Sequence, residues 1–403
     1  MQIVKHMLPV MLAFTLLLAG CSSPEEKAIK EVITNELDLL KDLDSGAFEE
    51  YISYEELFSQ SEEDAALSSE MKDVFDLFFK DFNYKIMEVT VDKKARTADA
   101  VIRLTTIDAR SLAADFAKVY LKEEMMSTAH GEDTDSVSSL DNRYQLLRDL
   151  LTSNSYEKVE TTCSMHLSKT EDKTWIIRKD SALENNLVGN LISCLADPDI
   201  LSPKDTVTVY FDTIKGMSEE EMSRYFKMQN LLNTEDTQKN QIASALVKQL
   251  HKHFDYKIKD VSDDGYQASV TVEITTFDSD SIMDSYNRQF EEYLATADAV
   301  IDGEEGRLDK SHQLLLNCIE ENSASSTSTI TIPMNNDGVS WKMEMGKNLE
   351  EALFGKLSSS AASAETDSEE DYSEEETDFE EESDSEEETD SGEETDSEEE
   401  SEE

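Results

Sequence analysis

Cysteine, histidine, tyrosine, aspartate and tryptophan are the side chains here whose types and spacing could do chemistry. The thiol of Cys21 follows the small residues Ala19 and Gly20, directly after an apolar stretch from Met7 to Leu18. A thiol so placed can be alkylated, and only a thiol can yield a thioether. Of the six histidines, His6 precedes that stretch, His130 is expected in a polar loop and His166 on the wet face of a strand. His251 and His253 stand two apart at a predicted helix end, where i and i+2 positions do not face each other. A solvated helix end is the reading there; as strand residues they would share a face and could hold a metal weakly. No HExxH, GxSxG, phosphate-binding loop or GxGxxG occurs. Tyr84 and Tyr256 are the legible candidates for a base inside a fold. Asp108 and Asp278 are read as helix N-caps, with carboxylates that accept orphan amides. Trp175 and Trp341 are read as core anchors rather than stacking platforms. The expectation is therefore no catalytic constellation, no metal, no cofactor and no enzyme.

The stretch ahead of Cys21 is too short to span a hydrocarbon core, which needs about 20 apolar residues. It has the length of a signal-peptide apolar region, with Lys5 as a weak positive start. Leu18-Ala19-Gly20-Cys21 resembles the bacterial lipobox. That resemblance implies a diacylglycerol thioether on Cys21, cleavage before it, and a mature protein anchored outside the cytoplasm by lipid; two or more acyl chains make a stable anchor.

The net charge is −55, from 91 acidic against 36 basic residues. Residues 365–403 alone hold 25 acidic and no basic residues, with a hydroxyl residue recurring every six positions at Thr377, Ser383, Thr389, Thr395 and Ser401. Such charge density opposes folding, so residues 358–403 are expected to be a disordered acidic tail. A solvating brush is favoured over weak binding of divalent cations, since no EF-hand spacing is present. Nucleic acid is excluded as a partner, because displacing its counterions needs clustered Lys and Arg. For the same reason direct adsorption of the folded part to anionic headgroups is not expected. With Cys21 lipidated, three cysteines remain. Cys163 falls on the apolar side of a predicted strand (Val159, Thr161, Cys163, Met165, Leu167), Cys194 on that of a helix, and Cys318 in a helical stretch. Cys163 and Cys194 could form a disulfide or serve as small buried hydrophobes.

The elements that would position these residues occur twice. Phe82-Asn83-Tyr84-Lys85-Ile86 recurs as Phe254-Asp255-Tyr256-Lys257-Ile258, and Leu104-Thr105-Thr106-Ile107-Asp108 as Ile274-Thr275-Thr276-Phe277-Asp278. Ser111 answers Ser281, Trp175 answers Trp341, and Asn186-Leu187 answers Asn348-Leu349. Each copy opens with an amphipathic helix (Ile29, Ile33, Leu37, Leu40, Leu43; then Val207, Phe211, Ile214, with Gly216 as C-cap). A second helix follows (Val74, Phe75, Phe78, Phe79; then Ile242, Leu246, Leu250). A hairpin comes next, with Ala98, Ala100, Ile102 and Leu104, or Ala268, Val270, Val272 and Ile274, on its dry face. Asp264-Gly265 suits the tight turn of the second hairpin. A long helical pair follows, interrupted near Gly131–Ser139 and Asp302–Gly306. Two strands and a closing helix, about Ser181 to Leu195 or Leu349 to Leu357, end each copy.

Helices followed by an antiparallel sheet make an α+β fold. In the strand ending Thr-Thr-x-Asp, the helical insertion, the late Trp-x-[Ile/Met] strand and the closing Asn-Leu helix, the chain resembles the duplicated lipoproteins of Gram-positive, often gut-dwelling, bacteria built on the nuclear-transport-factor-2-like or cystatin-like cone. The resemblance implies two tandem cone-like domains, each a curved antiparallel sheet under helices with a helical insertion, and no established activity. The organisation read is a lipoprotein signal peptide at 1–20, a first α+β domain at 21–198, a second at 199–357 and the acidic tail at 358–403. The function expected is a membrane-anchored, non-enzymatic module of the cell envelope that binds a protein or small-molecule ligand. The alternative is a small-molecule binder or enzyme that uses the cone interior.

Overall fold

In the computed structural model the first described helix, α1 (Pro24–Lys41), shows why this sequence folds locally as it does. Ser23 caps it by accepting from the Glu26 amide at 3.1 Å, Pro24 occupies a position that needs no donor, and Glu25 and Glu26 complement the positive helix start. Its stripe of Ile29, Ile33, Leu37 and Leu40 is buried. The structure describes residues 23–43, 57, 69–131, 134–228, 237–344, 346–355 and 357. The expected signal peptide at 1–20 with Leu18, Ala19 and Gly20, the thiol of Cys21 and the expected acidic tail at 358–403 lie outside the described residues.

The first half continues with α2 (Ser69–Phe79), whose Val74, Phe75, Phe78 and Phe79 are buried. Then come β1 (Asn83–Asp92), β2 (Thr97–Ile107), a helical insertion of α3 (Ala109–His130), α4 (Thr134–Ser138) and α5 (Leu140–Ser153), and β3 (Lys158–Lys169) and β4 (Trp175–Ile177). Two short helices, α6 (Ser181–Leu187) and α7 (Leu191–Leu195), close it. The second half runs α8 (Pro203–Gly216), α9 (Glu219–Tyr225), α10 (Thr237–His253), β5 (Asp255–Asp263), β6 (Gln267–Phe277), α11 (Ser279–Leu294), α12 (Ala297–Ile301), α13 (Gly303–Glu321), β7 (Ser325–Asn336), β8 (Trp341–Met343) and α14 (Lys347–Phe354). Each half holds a four-stranded antiparallel sheet, ordered β1-β2-β3-β4 and β5-β6-β7-β8. The β1–β2 register shifts between Ile86 and Glu88, and the β5–β6 register shifts between Ile258 and Asp260. The fold is therefore α+β, as the order of elements implied.

Strand alternation decides the inner faces. On β2, Ala98, Ala100, Ile102 and Leu104 are buried; on β6, Ala268, Val270, Val272 and Ile274 are. Cys163, Met165 and Leu167 complete the first inner face, and the aromatic side chains of α2 and Tyr144 of α5 join the same cluster. Burying each such large side chain contributes about 1.5–3 kcal/mol. The two cores are joined by α3. Its N-terminal half packs into the first core through Leu112, Ala113 and Phe116, while Met125 and Ala129 near its end belong to the second core with Phe211, Met222 and Leu246. Both sheets lie in one unit that ends at Ala362.

Several local expectations are corrected. Gly216 is the last residue of α8 and not a left-handed cap; buried, extended Met217 caps it and leads into Ser218, which opens α9 with a reciprocal capping box to Glu221. The first closing helix is broken at Gly189 and Asn190, both left-handed (φ 62 and 69). A Cβ at Gly189 would lie 2.4 Å from Thr106 Oγ1, so the chain must turn tightly there. The second helical pair is interrupted at Ala295 and Thr296 as well as at Asp302, the start of the expected break. Thr296 caps α12, whereas Gly303 through Gly306 belong to α13. Val159 is exposed together with its neighbours Lys158 and Glu160 at the start of β3, and burial on that face begins at Cys163. His130 ends α3 rather than lying in a loop, with Nε2 3.0 Å from Glu221 Oε1. Cys163, Cys194 and Cys318 are free thiols, and burial pushes the Cys163 thiol up to about 11, which keeps it protonated.

Candidate functional site

The residues singled out in the sequence are not brought together. Tyr84 donates to Asp38 Oδ1 at 2.7 Å and lies 3.4 Å from the Thr34 carbonyl of α1. Tyr256 donates to Asp212 Oδ1 at 2.7 Å and lies 3.3 Å from the Thr208 carbonyl of α8. Burial first, and then the neighbouring aspartate, push the Tyr84 hydroxyl up to about 12, and the same causes raise that of Tyr256. Neither phenol ionises near neutral pH, so both fasten an opening helix to an edge strand and neither is a base. Asp108 caps α3 through the amides of Arg110 and Ser111, and Asp278 caps α11 through that of Ser281. The hydroxyls of Ser111 and Ser281 donate to them at 2.6 and 2.7 Å, and these bonds hold both carboxyls below their usual range.

His166 pairs with Asp99 across the strands, Nδ1 to Oδ1 2.6 Å, on the exposed face. His251 and His253 are in the last turn of α10, and burial lowers the pKa of His253. Among the described residues no group of three His, Cys, Asp or Glu is placed to hold a metal ion. Trp175 and Trp341 are both buried. The Trp341 indole N–H donates to Asp199 Oδ1 at 2.9 Å, and Asn336 donates to the same oxygen at 3.0 Å, which ties the segment between the halves to the second sheet.

With the inner faces of both sheets packed, a concave surface among the described residues lies elsewhere, in a cleft between the halves. It has a volume of about 460 Å³, within the range of small-molecule sites. Phe116, Tyr120 and Glu124 of α3 line it together with Tyr210 of α8, Trp341 of β8 and Ile200 of the connecting segment. The rings of Phe116 and Tyr120 stack at 5.8 Å, and the Arg143 guanidinium lies 5.4 Å from the Tyr120 ring centre. Tyr210 is hydrogen-bonded, hydroxyl to hydroxyl, to Tyr225 of α9, which fixes its ring as cleft wall; burial raises the pKa of both. Burial also raises that of the Glu124 carboxyl, while Lys342, Tyr120 and Arg143 oppose the rise. The cleft thus offers an aromatic body and one polar edge of a carboxylate between two cations. Such a surface can bind and orient a molecule with an apolar body and a polar end. The sequence reading missed it, although Phe116, Tyr120 and Glu124 recur at the four-residue spacing of one helix face. Tyr210 and Trp341, which line it with them, stand some 90 to 220 positions away, and no local pattern links them.

Two antiparallel sheets covered by helices, with a cleft between the halves, define an α+β protein. The sequence model of a family described as "Domain of unknown function (DUF5105)" matches residues 203–357, the stretch that holds the second sheet. Among solved structures, the chain is similar to that of a candidate lipoprotein (ycdA) from Bacillus subtilis subsp. subtilis at 12% identity, over 68% of this chain and 96% of the other, with a TM-score of 0.28. No curated protein matches the chain.

Proposed function

We propose that the protein is an extracytoplasmic lipoprotein, held to the membrane by lipid on Cys21, whose two halves form a non-enzymatic binding module of the cell envelope. The observation that carries the binding reading is the cleft, built from both halves and lined by Phe116, Tyr120, Tyr210 and Trp341 with Glu124, Arg143 and Lys342 at its polar edge. The ligand that fits is a small molecule with an apolar or aromatic body and one polar end. Burial of Ala100, Ile102 and Leu104, and of Val270, Val272 and Ile274, favours the cleft over the interior of either sheet. The address rests on the apolar leader and Leu18-Ala19-Gly20-Cys21; among the described residues no helix is long and apolar enough to cross a membrane.

Descent from one duplicated domain of the nuclear-transport-factor-2-like or cystatin-like kind, as in lipoproteins of Gram-positive bacteria, belongs to this reading. The matched strand bulges, tyrosine–aspartate pairs and aspartate caps support it. The acidic tail 358–403 acts as a hydrated brush, with loosely held divalent cations as the competing role. Native mass spectrometry of the full-length protein, released from membranes in mild detergent, tests the cleft. A bound small molecule is expected in the wild type and absent from Ala117→Trp, which fills the cleft, with circular dichroism reporting the fold of the variant. A wild type with no added mass, or an equal mass in the variant, overturns the cleft assignment. Cys21→Ala is expected to move the protein out of the membrane fraction; continued pelleting would overturn the address.

A further inference from the structure

The chain is strongly acidic, yet its turns gather cations at one end of the first sheet. The β1–β2 turn brings Lys93 and Arg96, and the β3–β4 turn brings Lys169 and Lys173, to a hollow of about 290 Å³ that also holds Glu25, Glu171 and Trp175. Arg96 donates to the Thr170 carbonyl and joins the two turns. Lys169 lies 5.3 Å from the Trp175 ring centre and 3.0 Å from Glu25 Oε1, while Lys93 shares the other oxygen of Glu25 at 3.5 Å. Four cations thus face two carboxylates around the hollow, in a chain of net charge −55. On the flanks, Lys94 adds a cation and Asp172 an anion, while the Asp92 carboxylate accepts the amides of Lys94 and Ala95. The residues involved span positions 25 to 175, so no run of basic residues announces the cluster in the sequence.

Where this hollow sits relative to the anchor decides what it would meet. Glu25, on its rim, follows Cys21 by four residues. Whatever path those residues take, four residues reach at most about 14 Å, close to the screening length of about 8–10 Å at physiological salt. A diacylglycerol on Cys21 would place the hollow at the level of lipid phosphates.

We infer that this hollow is a footing for the phosphate of anionic phospholipid headgroups, which orients the folded part on the membrane with its acidic surfaces turned away. The inference rests on the lipid-anchor reading above. It reverses the expectation that the folded part has no affinity of its own for anionic lipid.

The test uses the lipidated full-length protein on vesicles of phosphatidylcholine alone or mixed with phosphatidylglycerol. Co-sedimentation reports the anchor, and amide hydrogen exchange at residues 92–97 and 170–175 reports the footing. Sedimentation with both vesicle types is expected, with exchange at the two turns slowed about fivefold or more only where phosphatidylglycerol is present, as ~1 kcal/mol per basic residue implies. The slowing is expected to vanish at high salt and to fall in Lys93→Gln/Lys173→Gln, which remains anchored. Should that variant not fold, the lipid and salt dependence of the wild type decides alone. Sedimentation with unchanged exchange at the turns overturns the footing and leaves the anchor standing. Failure to sediment overturns both. Equal slowing by inorganic phosphate without vesicles assigns the hollow to a free anion and overturns the lipid inference.

Discussion

Tyr84 and Asp38, like Tyr256 and Asp212, make a hydrogen bond of 2.7 Å between an opening helix and an edge strand. A net contribution of about 0.5–1.5 kcal/mol is ordinary for such a bond, so Tyr84→Phe is expected to lower unfolding free energy in urea by roughly that amount. The folded-state pKa of Tyr84 is raised from 10.0 to about 12. Its contribution is therefore complete below pH 10, where both states are protonated, and is lost as pH rises from 10 to about 12. Denaturant titrations across that window should show a shallower loss in Tyr84→Phe/Tyr256→Phe than in the wild type. Asp108 and Asp278 have the opposite sign. Their carboxyls are held below 3.8, so their contribution is present above that value and lost as pH falls through the lowered one. Asp278→Ala should cost ~1 kcal/mol at pH 7 and reduce the acid sensitivity of the fold. Types and spacing identified both aspartates as caps from sequence alone. The tyrosines were legible only as candidates, because their partners lie 46 and 44 residues away on helices.

The elements meet at a few positions where shape matters more than polarity. Gly189 separates α6 from α7 with φ 62, and any Cβ there would collide with Thr106 Oγ1 at the end of β2. Gly189→Ala is expected to destabilise by ~1–3 kcal/mol. Gly265 in the β5–β6 turn also has positive φ (95) but open space around it, so Gly265→Ala should cost less. Paired thermal melts would check the order. The long helix α3 is the other such element. Met125 and Ala129 are buried in the core of the second half while Leu112 and Ala113 are buried in that of the first. Met125→Ala should cost about 2–5 kcal/mol. It should also lower the unfolding midpoint of both halves together, as read by differential scanning calorimetry; two separated transitions in the wild type would count against this coupling. The periodicity of α3 indicated a helix, but it could not say that one end would serve a different core.

At the scale of the molecule, charge and shape are distributed unevenly. Aromatic side chains and one carboxylate with two cations line the cleft, and four cations gather at the end of the first sheet in an otherwise acidic chain. Glu221 of α9 adds a hydrogen-bonded contact between the halves, with Oε1 3.0 Å from His130 Nε2. The Ser218 amide first, and then the His130 ring at the end of α3, push its carboxyl down to about 2. The sign is that of an acid depressed by folding: the contribution is present above pH 4.5 and lost toward pH 2. Glu221→Gln should weaken the protein at neutral pH and flatten its acid unfolding between those values, measured by circular dichroism.

Local physics made the elements legible. Alternation fixed which strand residues turn inward, three-to-four spacing fixed the buried stripes of α1, α2 and α10, and aspartate before a helix marked its start. Recurrence of Phe-x-Tyr-Lys-Ile and of Thr-Thr-x-Asp implied two sheets of one design, and two sheets with the same strand order are found. Only the tertiary structure decided where α3 ends, that Gly189 breaks the first closing helix, which residues line the cleft and which cations share a hollow. The reason is range. Propensity, periodicity and capping act over a few residues, whereas Tyr120 comes to line one cleft with Tyr210 and Trp341, and Lys93 meets Lys169 at Glu25, through packing alone.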